Sequence, residues 1–287
     1  MPEISTDANQ LLKDITEQLG IAEPQEKRAY ALMVAEKLFG LSNTDVIVGK
    51  AVVVSKQQQQ ELNKILAQLN EGTPIQYVLQ EAWFYDRAFY VNSKVLIPRP
   101  ETEELVHHIV NDLPEIDSLL DVGTGTGCIP ITLQLERSVP HAFGLDVSQG
   151  ALDVARHNAK KLGADVQWLQ ADVLTYMPEL ANLDLVVSNP PYVRTTEMKE
   201  MHSRVTQFEP HLALFVPDHD PLKFYTRITQ LATRLLAVGG YLYFEINEAF
   251  GPATQQLVAK AGFANVKLVQ DIHGKDRFVT GCWHGPQ

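Results

Sequence analysis

The sequence predicts an α/β protein: a mainly parallel sheet covered by helices, preceded by a small helical bundle and joined to it by a β-hairpin. Three observations carry this expectation. Beyond residue 98, strand-like apolar runs alternate with amphipathic helical ones, the pattern of a sheet buried under helices on both faces. Before residue 73, apolar residues recur at helical spacing. The last two strand-like runs are separated only by "IHGKDR". That link is too short for a parallel crossover and sufficient for an antiparallel pair.

In the first region, "TDANQLLKDITEQL" spaces Leu11, Leu12, Ile15 and Leu19 along one helical face. "EPQEKRAYALMVAEKLFG" opens with Pro24 and closes on Gly40, the asymmetry that helix ends favour. "SKQQQQELNKILAQLNEG" begins with a capping Ser55 and ends at Gly72. Its glutamines, Gln57 to Gln60, read as a solvated helix face. From Thr73 to Leu96 the chain turns aromatic and β-branched, broken by "YDR", which predicts the hairpin. "PRPETEELVHHIVNDL" then starts a helix, with Pro100 near its first position and acids in its first turn.

The strand-like runs that follow are "DSLLDVG", "HAFGLDV", "DVQWLQAD", "LDLVVSN", "YLYFEIN", "ANVKLVQD" and "RFVTGCW". Helical runs such as "QGALDVARHNAKKLG" and "PLKFYTRITQLATRLL" separate most of them. No internal repeat is present at a fixed period.

Composition narrows the classes. The chain has 287 residues, 45% hydrophobic and 21% charged, which suits an ordinary globular protein of one large and one smaller domain. No apolar run approaches the roughly 18 residues of a membrane span. "MPEISTDANQ" lacks the basic start and apolar stretch of a signal peptide, so a cytoplasmic protein without a membrane partner is expected. Cys128 and Cys282 offer neither a disulfide framework nor metal-ligand spacing and read as buried small hydrophobes. His107 and His108 are adjacent and face different directions on their helix, and no metal is expected. A net charge of −11 argues against holding a nucleic-acid backbone, so no direct nucleic-acid partner is expected. A monomer is the expected state.

"LLDVGTGTGCI" places Gly123, Thr124, Gly125, Thr126 and Gly127 between a strand and a helix. Glycines there permit a tight turn and close backbone approach to a ligand. A dinucleotide fingerprint would need its third small residue at position 128, where this chain has Cys128, so the spacing suits a ligand without a pyrophosphate. Asp146 ends the next strand and can accept both hydroxyls of a ribose; otherwise it caps the following helix, a role open to Ser148. Asp172 ends the third strand and can accept from an adenine amine, with Val173 beside it as an apolar wall; otherwise it caps its own loop. Together these residues predict an adenosine site at the carboxyl ends of the strands.

"VVSNPPYV" ends the fourth strand at the same edge. Asn189 and Pro190 each precede a proline and are held extended. The Asn189 side-chain oxygen and the Pro190 carbonyl are then fixed acceptors, a match for one –NH2 group, and Tyr192 offers a flat face for a planar group. Binding both hydrogens of an amide or aromatic amine to acceptors aims the nitrogen lone pair. Methyl transfer from a sulfonium is then governed mainly by positioning.

"DVGTGTG", "LDVS" and "SNPPY" resemble the class I S-adenosylmethionine-dependent methyltransferases that act on planar nitrogens. That group includes adenine-N6 enzymes of DNA and RNA as well as protein glutamine-N5 enzymes. "GTPIQYVLQEAWFYDRAFYVNSKVLIPRPETEELV", "NPPYV", "VTQFEPHLALF" and "IHGKDRFVTG" resemble the release-factor glutamine methyltransferase family. The resemblance implies a Rossmann-like seven-stranded sheet with an antiparallel last strand. It implies a helical substrate-docking domain over 1–72, a linker hairpin over 73–97 and a catalytic domain over 98–287. S-adenosyl-L-methionine is the implied cofactor, with Gly123–Gly127, Asp146, Asp172, Val173 and Asn189 around it. Asn189, Pro190, Pro191 and Tyr192 are the implied substrate contacts, with Asn189, Pro190 and Tyr192 also catalytic. The implied substrate is the glutamine of the Gly-Gly-Gln tip of class 1 peptide-chain release factors. Val173 departs from the tryptophan frequent at that place. A ribosomal-protein glutamine enzyme shares the same elbow and cofactor site. A cofactor-binding protein whose bundle docks a partner is a further reading, against which the intact "NPPY" argues. Arg99, Glu101 and Glu103 are either substrate contacts or ordinary helix-start residues. Glu209 either orders the elbow or is a plain loop acid, and Glu245 is a candidate anchor for the site floor.

Overall fold

The computed structural model describes residues 4–286. The chain divides into two compact units, one up to Glu81 and one from Ala82 onward. Residues 1–3 and 287, at the outer limits of the expected domains, lie outside the described residues.

The first unit carries β1 (Ile4–Asp7), α1 (Ala8–Gln18), α2 (Pro24–Phe39), α3 (Asn43–Ile47), β2 (Ala51–Val54), α4 (Lys56–Asn70) and α5 (Ile75–Leu79). Asp7 caps α1 by accepting from the Gln10 N–H at 2.9 Å. Pro24 begins α2 and Gly40, at φ 66°, closes it in the left-handed conformation that favours glycine. Ala8, Leu11, Leu12, Ile15, Val34, Leu62, Leu66 and Leu69 form its core.

Three expectations change here. The unit is not purely helical: β1 and β2 pair antiparallel, with the β-branched run Val52–Val54 in the ladder. Gln58 is not simply solvated. Its side chain accepts from the Ser55 N–H at 3.1 Å while the Ser55 hydroxyl accepts from the Gln58 N–H, a reciprocal cap, and its amide donates to the Leu38 carbonyl. Ile75–Leu79 is a short helix, not a hairpin strand. Its alternating Ile75, Tyr77 and Leu79 imitate a strand, but Gln80 at φ 54° ends it as a helix and all three are buried.

The second unit opens with a hairpin, β3 (Ala82–Phe84) and β4 (Arg87–Phe89). Tyr85 and Asp86 both take positive φ, as a two-residue turn matched to the strand twist requires. There follow α6 (Pro100–Asp112), β5 (Ser118–Val122), α7 (Cys128–Arg137), β6 (His141–Asp146), α8 (Gln149–Leu162), β7 (Val166–Gln170) and β8 (Leu183–Ser188). After the elbow come β9 (Val193–Arg194), α9 (Ser203–Phe208), β10 (Phe215–Val216), α10 (Lys223–Leu235), β11 (Leu236–Glu245), α11 (Gly251–Lys260), β12 (Phe263–Gln270) and β13 (Asp276–Trp283).

Seven strands form one sheet in the order β12-β13-β11-β8-β5-β6-β7, and only β13 runs opposite to the other six. Successive residues face opposite sides. Leu119 and Leu185 join one apolar cluster with α6 and α7, whereas Leu120 and Val186 join another with α10 and α11. The sheet is therefore buried on both faces, as its near-continuous apolar strands require. From β5 the chain runs outward to β6 and β7, then returns to β8 on the other side of β5. That reversal opens a crevice at the carboxyl ends of β5 and β8. The Ser188 hydroxyl donates to the Val122 carbonyl at 2.6 Å and pins the two strand ends on which the crevice is built.

Candidate active site

A cavity of about 330 Å³ lies at these strand ends. Gly123, Gly125, Asp146, Asp172, Val173, Asn189, Pro190 and Pro191 line it, with Lys94–Leu96 and Leu212–Ala213 among its other walls. Thr124, Thr126, Gly127 and Tyr192 do not line it.

The glycine turn is held from below, where the Gly123 and Thr124 N–H groups both donate to the Leu145 carbonyl, at 2.8 and 3.0 Å. Its three glycines take φ of 79°, 53° and 77°, a conformation costly for other residues. They divide the work. A Cβ on Gly123 or Gly125 would meet nothing within 4 Å, so the space above both is open to a ligand. A Cβ on Gly127 would stand 2.8 Å from the Trp168 ring, so this glycine serves packing. The Thr126 hydroxyl accepts from the Cys128 N–H at 3.3 Å, and burial pushes the Cys128 thiol up to about 12. Beneath the turn, the Asp121 carboxylate and the Thr124 hydroxyl are buried next to each other. Burial raises Asp121 to about 7, and the nearby Asp146 charge adds to the rise.

Asp146 accepts from the Gly125 N–H at 2.9 Å through one oxygen and from the Ser148 N–H at 2.8 Å through the other. Burial raises its pKa, and these backbone donors oppose the rise. Ser148, not Asp146, caps α8, by accepting from the Ala151 N–H at 3.2 Å. Asp172 caps its own turn through the Leu174 N–H at 2.9 Å and also lines the cavity. Val173 is buried, its carbonyl accepting from Arg227 Nε at 2.8 Å. Asp121, Asp146 and Asp172 thus stand on or just past the neighbouring strands β5, β6 and β7.

In the elbow, Pro190 is buried and Asn189 half-buried. Asn189 Nδ2 donates to the Thr102 hydroxyl at 3.1 Å, and Thr102 donates to Glu245 Oε2 at 2.6 Å. Tyr192 donates its hydroxyl to Glu245 Oε1 at 3.1 Å. Burial pushes the Tyr192 phenol well up and raises Glu245, while the Thr102 and Tyr192 donors and Arg277 hold Glu245 down. Val193 continues into the short parallel ladder β9–β10, and Asn247 Nδ2 donates to the Tyr192 carbonyl at 3.3 Å. Among the described residues, no protein hydrogen bond engages Asn189 Oδ1 or the Pro190 carbonyl.

The acids weighed at the sequence level separate. Glu209 is buried, accepting from Arg99 at 2.5 Å and from the Ile97 N–H at 3.2 Å. It therefore ties the 97–99 segment to the chain beyond the elbow. Glu103 accepts from the Tyr85 N–H at 2.9 Å and braces the hairpin. Glu245 is fully buried under the elbow. Two residues escaped the sequence reading, though each carried a signal. Thr102 sits at a core position of an apolar helical stripe with Leu105, Val106 and Ile109, and Asp121 interrupts an apolar strand. A polar group in such a place needs a partner or a purpose.

The profile of the family described as "Methyltransferase small domain" matches residues 100–209, and that of the "PrmC N-terminal domain" matches residues 10–79. Among solved structures, a methyltransferase from Pyrococcus furiosus superposes with a TM-score of 0.50 at 15% identity, over 81% of this chain and 100% of that one, which speaks for the fold alone. The release factor glutamine methyltransferase of Bacteroides thetaiotaomicron is 43% identical over 91% of this chain and 94% of its own. That of Flavobacterium psychrophilum is 42% identical over 90% and 93%. With this identity sustained along nearly the whole length, the chain belongs to the release factor glutamine methyltransferase family.

Proposed function

We propose that this protein transfers a methyl group from S-adenosyl-L-methionine to the side-chain amide nitrogen of the glutamine in the Gly-Gly-Gln tip of class 1 release factors. The observation that carries the reading is the pair of acceptors in the cavity wall. Asn189 and Pro190 line the cavity together with Gly123 and Gly125, and among the described residues no protein hydrogen bond engages Asn189 Oδ1 or the Pro190 carbonyl.

The residues fit the cofactor. The open space over Gly123 and Gly125 admits close approach, Asp146 retains lone pairs for ribose hydroxyls, and Val173 is an apolar wall for a base. The Asp146 and Asp172 side chains in the cavity lining suit a cationic donor. When bound, the cofactor supplies an electrophilic methyl group on a sulfonium, which leaves as a neutral thioether. Asn189 Oδ1 and the Pro190 carbonyl accept the two amide hydrogens of the substrate and direct its nitrogen lone pair. They also stabilise the positive charge that develops on nitrogen as the new carbon–nitrogen bond forms. Neutrality returns when the cationic, strongly acidic product nitrogen releases its proton to solvent, so no strong base is needed beforehand. Tyr192 holds the corner by donating its hydroxyl to Glu245. The NPPY corner is thus the reacting motif of this reading, and a cytoplasmic setting with a release factor as the protein partner goes with it.

The test is methyl transfer from labelled cofactor to a purified class 1 release factor and to its tip Gln→Ala variant. Label should enter the first only. Equal labelling of both would reject the proposal.

A further inference from the structure

Glu245 has no assigned part in the reaction, yet it is a fully buried acid directly behind the reacting corner. Its two oxygens are spoken for: Oε2 accepts from Thr102 at 2.6 Å and Oε1 from Tyr192 at 3.1 Å. A hydroxyl has a single proton to give. With its proton committed to Glu245, Thr102 faces Asn189 only as an acceptor, and Asn189 Nδ2 meets it at 3.1 Å. An asparagine amide presents opposite polarity on its two ends. The end facing Thr102 is –NH2, so the other end, facing away, is the oxygen.

We infer that Thr102 and Glu245 are positioning residues, a polarity relay whose ionised carboxylate keeps Asn189 Oδ1, rather than its –NH2, turned toward the substrate amide. This rests on the reading of Asn189 given above. If Glu245 takes up a proton, it can donate to Thr102, whose own proton then turns to Asn189. The amide flips, and a donor faces the donor hydrogens of the substrate. The relay therefore ties turnover to the ionisation of one buried acid outside the cavity wall.

The groups packed around Glu245 push its ionisation in both directions. Burial raises its pKa, and Glu101 on α6 adds to the rise. Against this stand the two hydroxyl donors and the Arg277 charge from β13. Arg277 is itself engaged by Asp271 at 3.1 Å, which limits its hold on Glu245. Tyr225 on α10 reaches only the Glu245 backbone carbonyl, at 3.3 Å, and the Cys128 thiol on α7 stays protonated.

The experiment compares wild type, Thr102→Val, Thr102→Ser and Glu245→Gln in the full chain. Turnover is measured with a release factor from pH 5 to 9, and cofactor affinity by calorimetry. Wild-type kcat should fall on the acid side of one ionisation. Thr102→Val should lower kcat at least tenfold with cofactor Kd within twofold, and Thr102→Ser should recover kcat to within threefold of wild type. Glu245→Gln should lose the acid limb. If Thr102→Val and Thr102→Ser turn over alike, or the acid limb persists in Glu245→Gln, the relay is wrong. A readout without substrate stands beside these and needs neither the Thr102 nor the Glu245 variants. The side-chain 15N–1H2 pair of Asn189, assigned by its loss in Asn189→Ala, should move with pH in step with Glu245. A pair that does not move overturns the relay. Wild type that fails to label the release factor overturns the function reading and leaves the resonance test of the relay intact.

Discussion

The buried pair Arg99–Glu209 gives a stability prediction with an internal control. Glu209 is 2% exposed and Arg99 32% exposed in their side chains. Removing one partner is thus not equivalent to removing the other. Arg99→Ala strands a carboxylate in the interior with the Ile97 N–H as its remaining donor, and stranding a buried charge costs about 3–5 kcal/mol. Glu209→Gln keeps an acceptor for Ile97 and leaves a guanidinium that can turn to solvent, a loss of about 1–2 kcal/mol. In a unit of roughly 200 residues each kcal/mol moves the melting midpoint by about 2–4 °C. Arg99→Ala should therefore melt roughly 6–20 °C low and Glu209→Gln roughly 2–8 °C low. The double variant should resemble Glu209→Gln, because no charge is then stranded. Tryptophan fluorescence follows this unit, since Trp83, Trp168 and Trp283 all lie within it. Arg99→Ala as stable as Glu209→Gln, or a double variant less stable than either, would refute the reasoning.

Other outcomes are expected alongside. Asp121 titrates near 7 when folded against an ordinary 3.8, so between these values the unfolded chain sheds its proton first and stability falls as pH rises. The loss approaches about 4 kcal/mol as an upper bound, and Asp121→Asn should flatten Tm between pH 4 and 7 relative to wild type. A Cβ on Gly144 would lie 2.5 Å from the Trp168 ring, its partner in the β6–β7 ladder. Gly144→Ala should cost about 1–3 kcal/mol in denaturant titration, and adding Trp168→Leu should recover part of it. Gln58→Ala removes half of the reciprocal cap on α4 and should cost about 1 kcal/mol, read by far-ultraviolet circular dichroism.

The strand-to-helix alternation, the glycine turn and the proline corner were all legible because each is written in adjacent residues. Gly123–Gly127 and Asn189–Pro191 declare their backbone geometry locally, through positive φ in one case and proline rings in the other. Ile75–Leu79 was misread because alternating apolar residues over five positions satisfy a short helix as well as a strand. Only packing and the left-handed Gln80 decided between them. The glycine turn needed the fold to separate its parts, since only the approach of Trp168 marks Gly127 as a packing glycine.

Sequence alone determined that a glycine turn and a proline corner would end strands at the carboxyl edge of the sheet, because the conformation of such short runs is set by their own residue types. What holds the site was decided by tertiary structure. Thr102 and Asn189 are 87 positions apart, Arg99 and Glu209 are 110 apart, and Thr102 and Glu245 are 143 apart. A hydrogen bond acts over about 3 Å, and only the folding of the sheet brings such groups within that reach.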